Sequence, residues 1–240
     1  MRADSESIPI NGRQSTYVIG LKIPETPRWA HDIVLNASIA WDQAQLWYQQ
    51  SLSTPGNVYT FAASDDGSAI VSFSMPAAYV GFAVGWTQYQ FASTSKMTIK
   101  STQTYLDPSV FSASQQNNDT AQKYALWLAL HELGRVLGLG SVLDTRDIMD
   151  PMASPSRAAD SPLLSTLDLY ALQVLASGYA PSFVTLPGNV QNQFVPAATF
   201  ISTTTTPPIP TPEFNGYYGL IAAICALGAS LGIKRRKLLS

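Results

Sequence analysis

Apolar positions along the chain fall into periodic runs separated by turn residues. Ile33, Ala37, Ala40, Ala44 and Trp47 are spaced by four, three, four and three, which predicts an amphipathic helix over about residues 32–50. Residues 69–75, 83–91 and 96–102 are rich in β-branched and aromatic side chains and predict strands. The segments around Asp107-Pro108 and Asn117-Asn118 predict loops. A second helix is predicted over residues 120–137, where Leu126, Leu130, Leu133 and Leu137 stack on one face. At about 100° per residue, His131 and Arg135 fall away from that face and are expected to line a cleft. A last helix is predicted over residues 166–177, with a capping-box pattern at Ser165 and Asp168 and Gly178 just past its end. Helix, strands, helix and terminal helix predict an α/β domain over residues 22–180.

The flanks differ in character. Residues 1–21 are polar, without the apolar segment of a secretory signal. Residues 181–215 include a Thr/Pro tract, Thr203 to Pro212, that reads as an extended tether. Residues 216–233 carry an uncharged run from Tyr217 to Ile233, near the lower length limit for a transmembrane helix. Lys234-Arg235-Arg236-Lys237 follows, so the positive-inside rule predicts an anchored chain with its domain extracellular and residues 234–240 cytoplasmic. Pro212-Glu213-Phe214, the apolar run and the basic cluster together resemble the archaeal PEF-type sorting signal.

Composition narrows the chemistry. Net charge is −2 and only 12% of residues are charged, so nucleic acid is not an expected partner. The single cysteine, Cys225, excludes an intrachain disulfide or a thiolate zinc site. There are two histidines, His31 and His131. His31 sits near the start of the first predicted helix, where a surface or capping role is expected.

His131-Glu132 opens the informative stretch. In an HExxH helix, two histidines one turn apart reach the same zinc and the glutamate acts on bound water. His131 and Glu132 match the first half of that pattern, and Gly138 matches a helix-breaking glycine. Asp147-Ile148-Met149-Asp150-Pro151 looks like a Met-turn, with Met149 as its methionine. With residues 27–47 and 163–172, these motifs resemble the matrixin form of the metzincin metalloproteases. The resemblance implies a mixed twisted sheet, an active-site helix, a Met-turn and a C-terminal helix. It also implies zinc as cofactor, His131 as ligand, Glu132 as general base and extended peptide or protein as substrate.

Two ligand positions depart from the pattern: the second is Arg135 and the third Ser141. Arginine has no lone pair to give a metal and stays cationic. Two like charges 4 Å apart repel by about 4 kcal/mol at an effective dielectric of 20. Arg135 is expected either to pair with Glu132 in place of the metal, helped by Asp144 or Asp147, or to point into solvent. Three functions follow. The preferred one is an inactive or impaired peptidase-like module that binds extended peptides by β-augmentation on strand 69–75 or 83–91. The others are an active zinc endopeptidase with Asp144 or Asp147 as substitute ligand, and a structural cell-surface protein.

Overall fold

The helix predicted at residues 32–50 is α1, Arg28–Leu52. Its buried face is Ala30, Val34, Ala37, Trp41, Ala44 and Tyr48, and Ile33 and Trp47 of the expected stripe pack at its flank. The alanines allow a second helix, α2 (Asp119–Val136), to approach α1 closely. The Trp41 indole Nε1 donates to the Leu130 carbonyl at 2.9 Å, which fixes α1 against the turn of α2 just before His131. Asn118 caps α2 by accepting from the Ala121 amide. A third helix, α3 (Thr166–Ala176), packs on α1, and its N-cap Ser165 accepts from the Asp168 amide at 3.1 Å.

This computed structural model describes residues 2–3, 7–10, 14–52, 56–65, 67–81, 83–93, 98–151, 161–178 and 183–201. Contacts divide the chain into two units, 1–202 and 203–240, and the second lies outside the described residues. The strands are β1 (Arg2–Ala3), β2 (Ser7–Ile10), β3 (Gln14–Lys22), β4 (Val58–Ala63), β5 (Ala69–Ser72), β6 (Gly85–Ser93), β7 (Thr98–Leu106), β8 (Leu163–Ser165) and β9 (Phe194–Pro196). The first seven form one sheet along the path β1-β7-β5-β3-β2, with β4 paired to β3 and β6 to β7. β3, β4, β5 and β7 run parallel where they pair, and β6 runs antiparallel to β7 along its length. β5 is enclosed between β3 and β7, whereas β6 pairs with β7 alone among the described residues. β6 is therefore an edge strand, and α2 lies against it.

Three expectations are corrected. The domain does not begin at residue 22: β3 lies within the sheet, and its Tyr17, Ile19 and Leu21 are buried in the core. Nor does it end at 180, because β9 pairs antiparallel with β8, and Ala197 and Phe200 are buried, Phe200 against Trp47. The expected fold class joined the mixed domain to a C-terminal transmembrane helix. Among the described residues no helix is long and apolar enough to cross a membrane, so that fold class does not stand. What the structure has is a mixed α/β architecture. Residues 216–233, on which the expected helix fell, lie outside the described residues.

Candidate functional site

α2 ends where its sequence requires it to. Gly138 takes φ +92°, which favours glycine. The Leu139 amide donates to the Gly134 carbonyl (3.0 Å) and the Gly138 amide to the Arg135 carbonyl (2.8 Å). This pair of bonds is the Schellman arrangement. The chain reverses and passes back beneath the helix, where the Val142 amide donates to the Met149 carbonyl. Met149 is fully buried. Its Sδ lies so close to Gly134 that a Cβ there would meet it at 2.5 Å. Glycine at 134 is thus what lets residues 147–150 pack under the motif.

That turn orients His131. The ring Nδ1 is 2.8 Å from the Ile148 carbonyl, which can only accept, so Nδ1 carries the proton. The ring is 7% exposed and stacks on Trp127 with centroids 5.0 Å apart. Burial pulls its pKa down to about 4, with Arg135 pushing the same way and the Ile148 carbonyl opposing. His131 is therefore neutral at pH 7. Its Nε2 keeps a lone pair and has no hydrogen-bond partner among the described residues.

Glu132 is 5% exposed and turned toward β6. Thr87 Oγ1 donates to its Oε2 at 2.6 Å, and Thr104 Oγ1 lies 3.0 Å from Thr87 Oγ1. Burial raises the Glu132 pKa to about 7, against the lowering effects of Thr87 and then Arg135. Its Oε1 has no partner among the described residues and lies beside Gly85, where a Cβ would approach it to 2.6 Å.

Arg135 does not pair with Glu132 in the way the first expectation had it. Its guanidinium donates to Ser141 Oγ at 2.6 Å and reaches the Leu139 carbonyl at 3.5 Å. No hydrogen bond or salt bridge joins it to Glu132 among the described residues. The reason is local: the Schellman turn delivers Ser141 to the guanidinium, while Thr87 holds Glu132 on the other side. The backbone carbonyl of Arg135 also accepts from Tyr89 on β6 at 2.9 Å.

The proposed substitute ligands face elsewhere. Asp144 is held by Arg146 through two side-chain bonds, 2.8 and 3.1 Å. Asp147 is 1% exposed, and its Oδ1 accepts from the Met149 amide at 2.8 Å. The second oxygens of Asp147 and Asp168 find no donor among the described residues. Burial, and then the nearby Asp147 carboxyl, raises the Asp168 pKa well above the usual carboxylate range. His31 pairs with its neighbour Asp32 at 3.1 Å and takes no part in the site.

Beside the motif is a cleft of about 350 Å³, whose lining includes Gly85, Asp107, Trp127, Leu128, His131 and Glu132. Neither Arg135 nor Ser141 lines it. Sequence reading alone missed Thr87, Gly85, Asp107 and Trp127. Trp127 stands four residues before His131, a helical spacing that signals contact. The other three reach the site through the sheet and carry no local signal.

The zinc implied by the resemblance finds one matching donor here, Nε2 of His131. The other two positions hold a permanent cation and a hydroxyl bonded to each other. Among the described residues no group of three or more His, Cys, Asp or Glu side chains is placed to hold a metal ion. The donor set does not fit zinc. In comparisons with known proteins, no protein-family model matches the chain and no curated protein matches it.

Proposed function

We propose that this chain is a matrixin-like pseudopeptidase, a module that binds extended peptides without hydrolysing them. The observation that carries this reading is the Arg135–Ser141 hydrogen bond. It joins the two positions that would have to supply lone pairs to a metal and leaves Glu132 with no metal-bound water to act on. The means of holding a peptide remain. β6 is an edge strand with the cleft at its Gly85 end, so a peptide can pair with its backbone while one side chain enters the cleft. β5, the other strand considered, is enclosed on both sides and offers no edge.

The test uses the full chain. Fluorescently labelled, end-blocked extended peptides are expected to bind saturably and to remain intact by mass spectrometry after overnight incubation. Metal analysis after dialysis is expected to give well under one equivalent of zinc. Near-stoichiometric zinc, with peptide cleavage that a chelator abolishes, would overturn the reading. Arg135→His combined with Ser141→His is expected to restore zinc binding, because these are the two ligand positions of the resembled motif that lack a histidine.

A further inference from the structure

Resting on the peptide-binding reading, we infer that the cleft selects a basic side chain, lysine or arginine, of the bound peptide. Its lining includes two acidic residues from different parts of the fold: Glu132 from α2 and Asp107, the residue that follows β7. No lysine or arginine lines it among the described residues. The nearest cation of the motif, Arg135, does not line the cleft and is bonded to Ser141 and Leu139, although its charge is felt by both His131 and Glu132.

Two acceptors open into the cleft without a hydrogen-bond partner among the described residues. Glu132 Oε1 has no partner among the described residues, although the side chain is 95% covered (5% exposed). His131 is 7% exposed, and its Nε2 is likewise unpartnered on the ring edge opposite the Ile148 carbonyl. Both face the cleft, so a guest that brings N–H groups can pair with them. Asp107 adds a third acceptor: its Oδ1 takes the Ser109 amide at 2.8 Å, and its other oxygen is unpartnered among the described residues. A guest with several donors and a positive charge satisfies all three, and lysine and arginine are the side chains of that kind. The volume, about 350 Å³, exceeds what a single long side chain needs. Gly85 keeps the entrance open, since a Cβ there would come within 2.6 Å of Glu132 Oε1 and 2.8 Å of Leu128 Cδ1.

The experiment compares end-blocked peptides identical except for one central residue: arginine, its uncharged isostere citrulline, leucine or glutamate. Binding to the full chain is read by fluorescence anisotropy. The arginine peptide is expected to bind about tenfold or more tighter than the citrulline peptide, the range of a charge-assisted hydrogen bond. Glu132→Gln and Asp107→Asn, which keep side-chain volume, are each expected to cut that preference to about threefold or less. Gly85→Ala should weaken the arginine peptide most.

Equal affinity for the arginine and citrulline peptides, or a preference for leucine, overturns this inference and leaves peptide binding standing. A second probe separates the opposite case. N-acetyl-arginine methylamide, too short to pair along β6, is expected to shift the Gly85 amide and His131 ring signals in NMR where the citrulline analogue does not. Such a shift with no peptide binding would sink the peptide-binding reading and keep the pocket. No shift and no binding by any peptide overturns both.

Discussion

His131–Glu132 and the stretch from Arg135 to Ser141 lie on either side of one helix end, yet their surroundings differ. The first pair is buried, and each side chain is held by a different part of the fold: His131 by the turn at Ile148, Glu132 by Thr87 on β6. The second stretch is half-exposed and satisfied by its own neighbours, Arg135 by Ser141 and Leu139. A buried polar group supported from outside its own segment is costly to change, since removing either partner strands the other. A short-range bond at the surface is cheap to gain or lose. Arg135 and Ser141, the two residues that depart from the expected zinc pattern, fall on the cheap side, and His131 and Glu132 on the costly one.

Four measurements break or sharpen that contrast. The largest effect belongs to Met149→Ala. Emptying the fully buried floor under Gly134 should cost about 2–5 kcal/mol in urea denaturation. A loss below about 1 kcal/mol would show that the turn does not support the motif by packing.

Next is the pH dependence of Glu132→Gln. Glu132 titrates near 7 in the folded chain against an ordinary 4.5. The folded state holds its proton longer, so this stability is fully present below about 4.5 and lost as pH rises through about 7. His131 has the opposite sign: its contribution is present above 6.5 and lost as pH falls through about 4. Removing the carboxyl should make the fall toward alkaline pH shallower and leave the acid limb unchanged. The Tm gain at pH 8 is expected to be about 2–4 °C, the scale of 1 kcal/mol for a domain of this size. An unchanged alkaline slope would show that Glu132 ionises as it does in the unfolded chain.

Thr87→Val removes the donor to Glu132 and should cost about 1 kcal/mol. It should also move the Glu132 midpoint above 7, followed by the carboxyl carbon signal in an NMR titration, because the lost bond is one that lowers the pKa. A fall in the midpoint would contradict the geometry at β6. The smallest effect is that of Ser141→Ala, an exposed position. Stability should change by no more than about 0.5 kcal/mol. A loss above about 1.5 kcal/mol would place the Arg135–Ser141 bond on the costly side and end the contrast.

Much of this arrangement was legible in the chain. The three helices, the helix-ending Gly138, the Ser165 cap and three of the strands follow from periodicity and caps, because those depend on neighbours within one or two turns. β3 was overlooked although Tyr17, Ile19 and Leu21 alternate. Its surroundings are polar, and its burial comes from β4 and β5, far along the chain. The same holds for β9, whose partner β8 lies about thirty residues earlier.

For function, the amino-acid order alone determined that His131 and Glu132 stand together, and that an arginine and a serine occupy the positions where the resemblance leads one to expect histidines. Residue chemistry settles this, since a guanidinium has no lone pair in any fold. Where those groups point was decided only by tertiary structure. The Schellman turn brings Ser141 to Arg135, Thr87 on β6 holds Glu132, and Gly85 packs beside it at the cleft that Asp107 also lines. Such pairings join residues far apart in sequence, and their distances come from how the sheet, the helix end and the returning turn pack together.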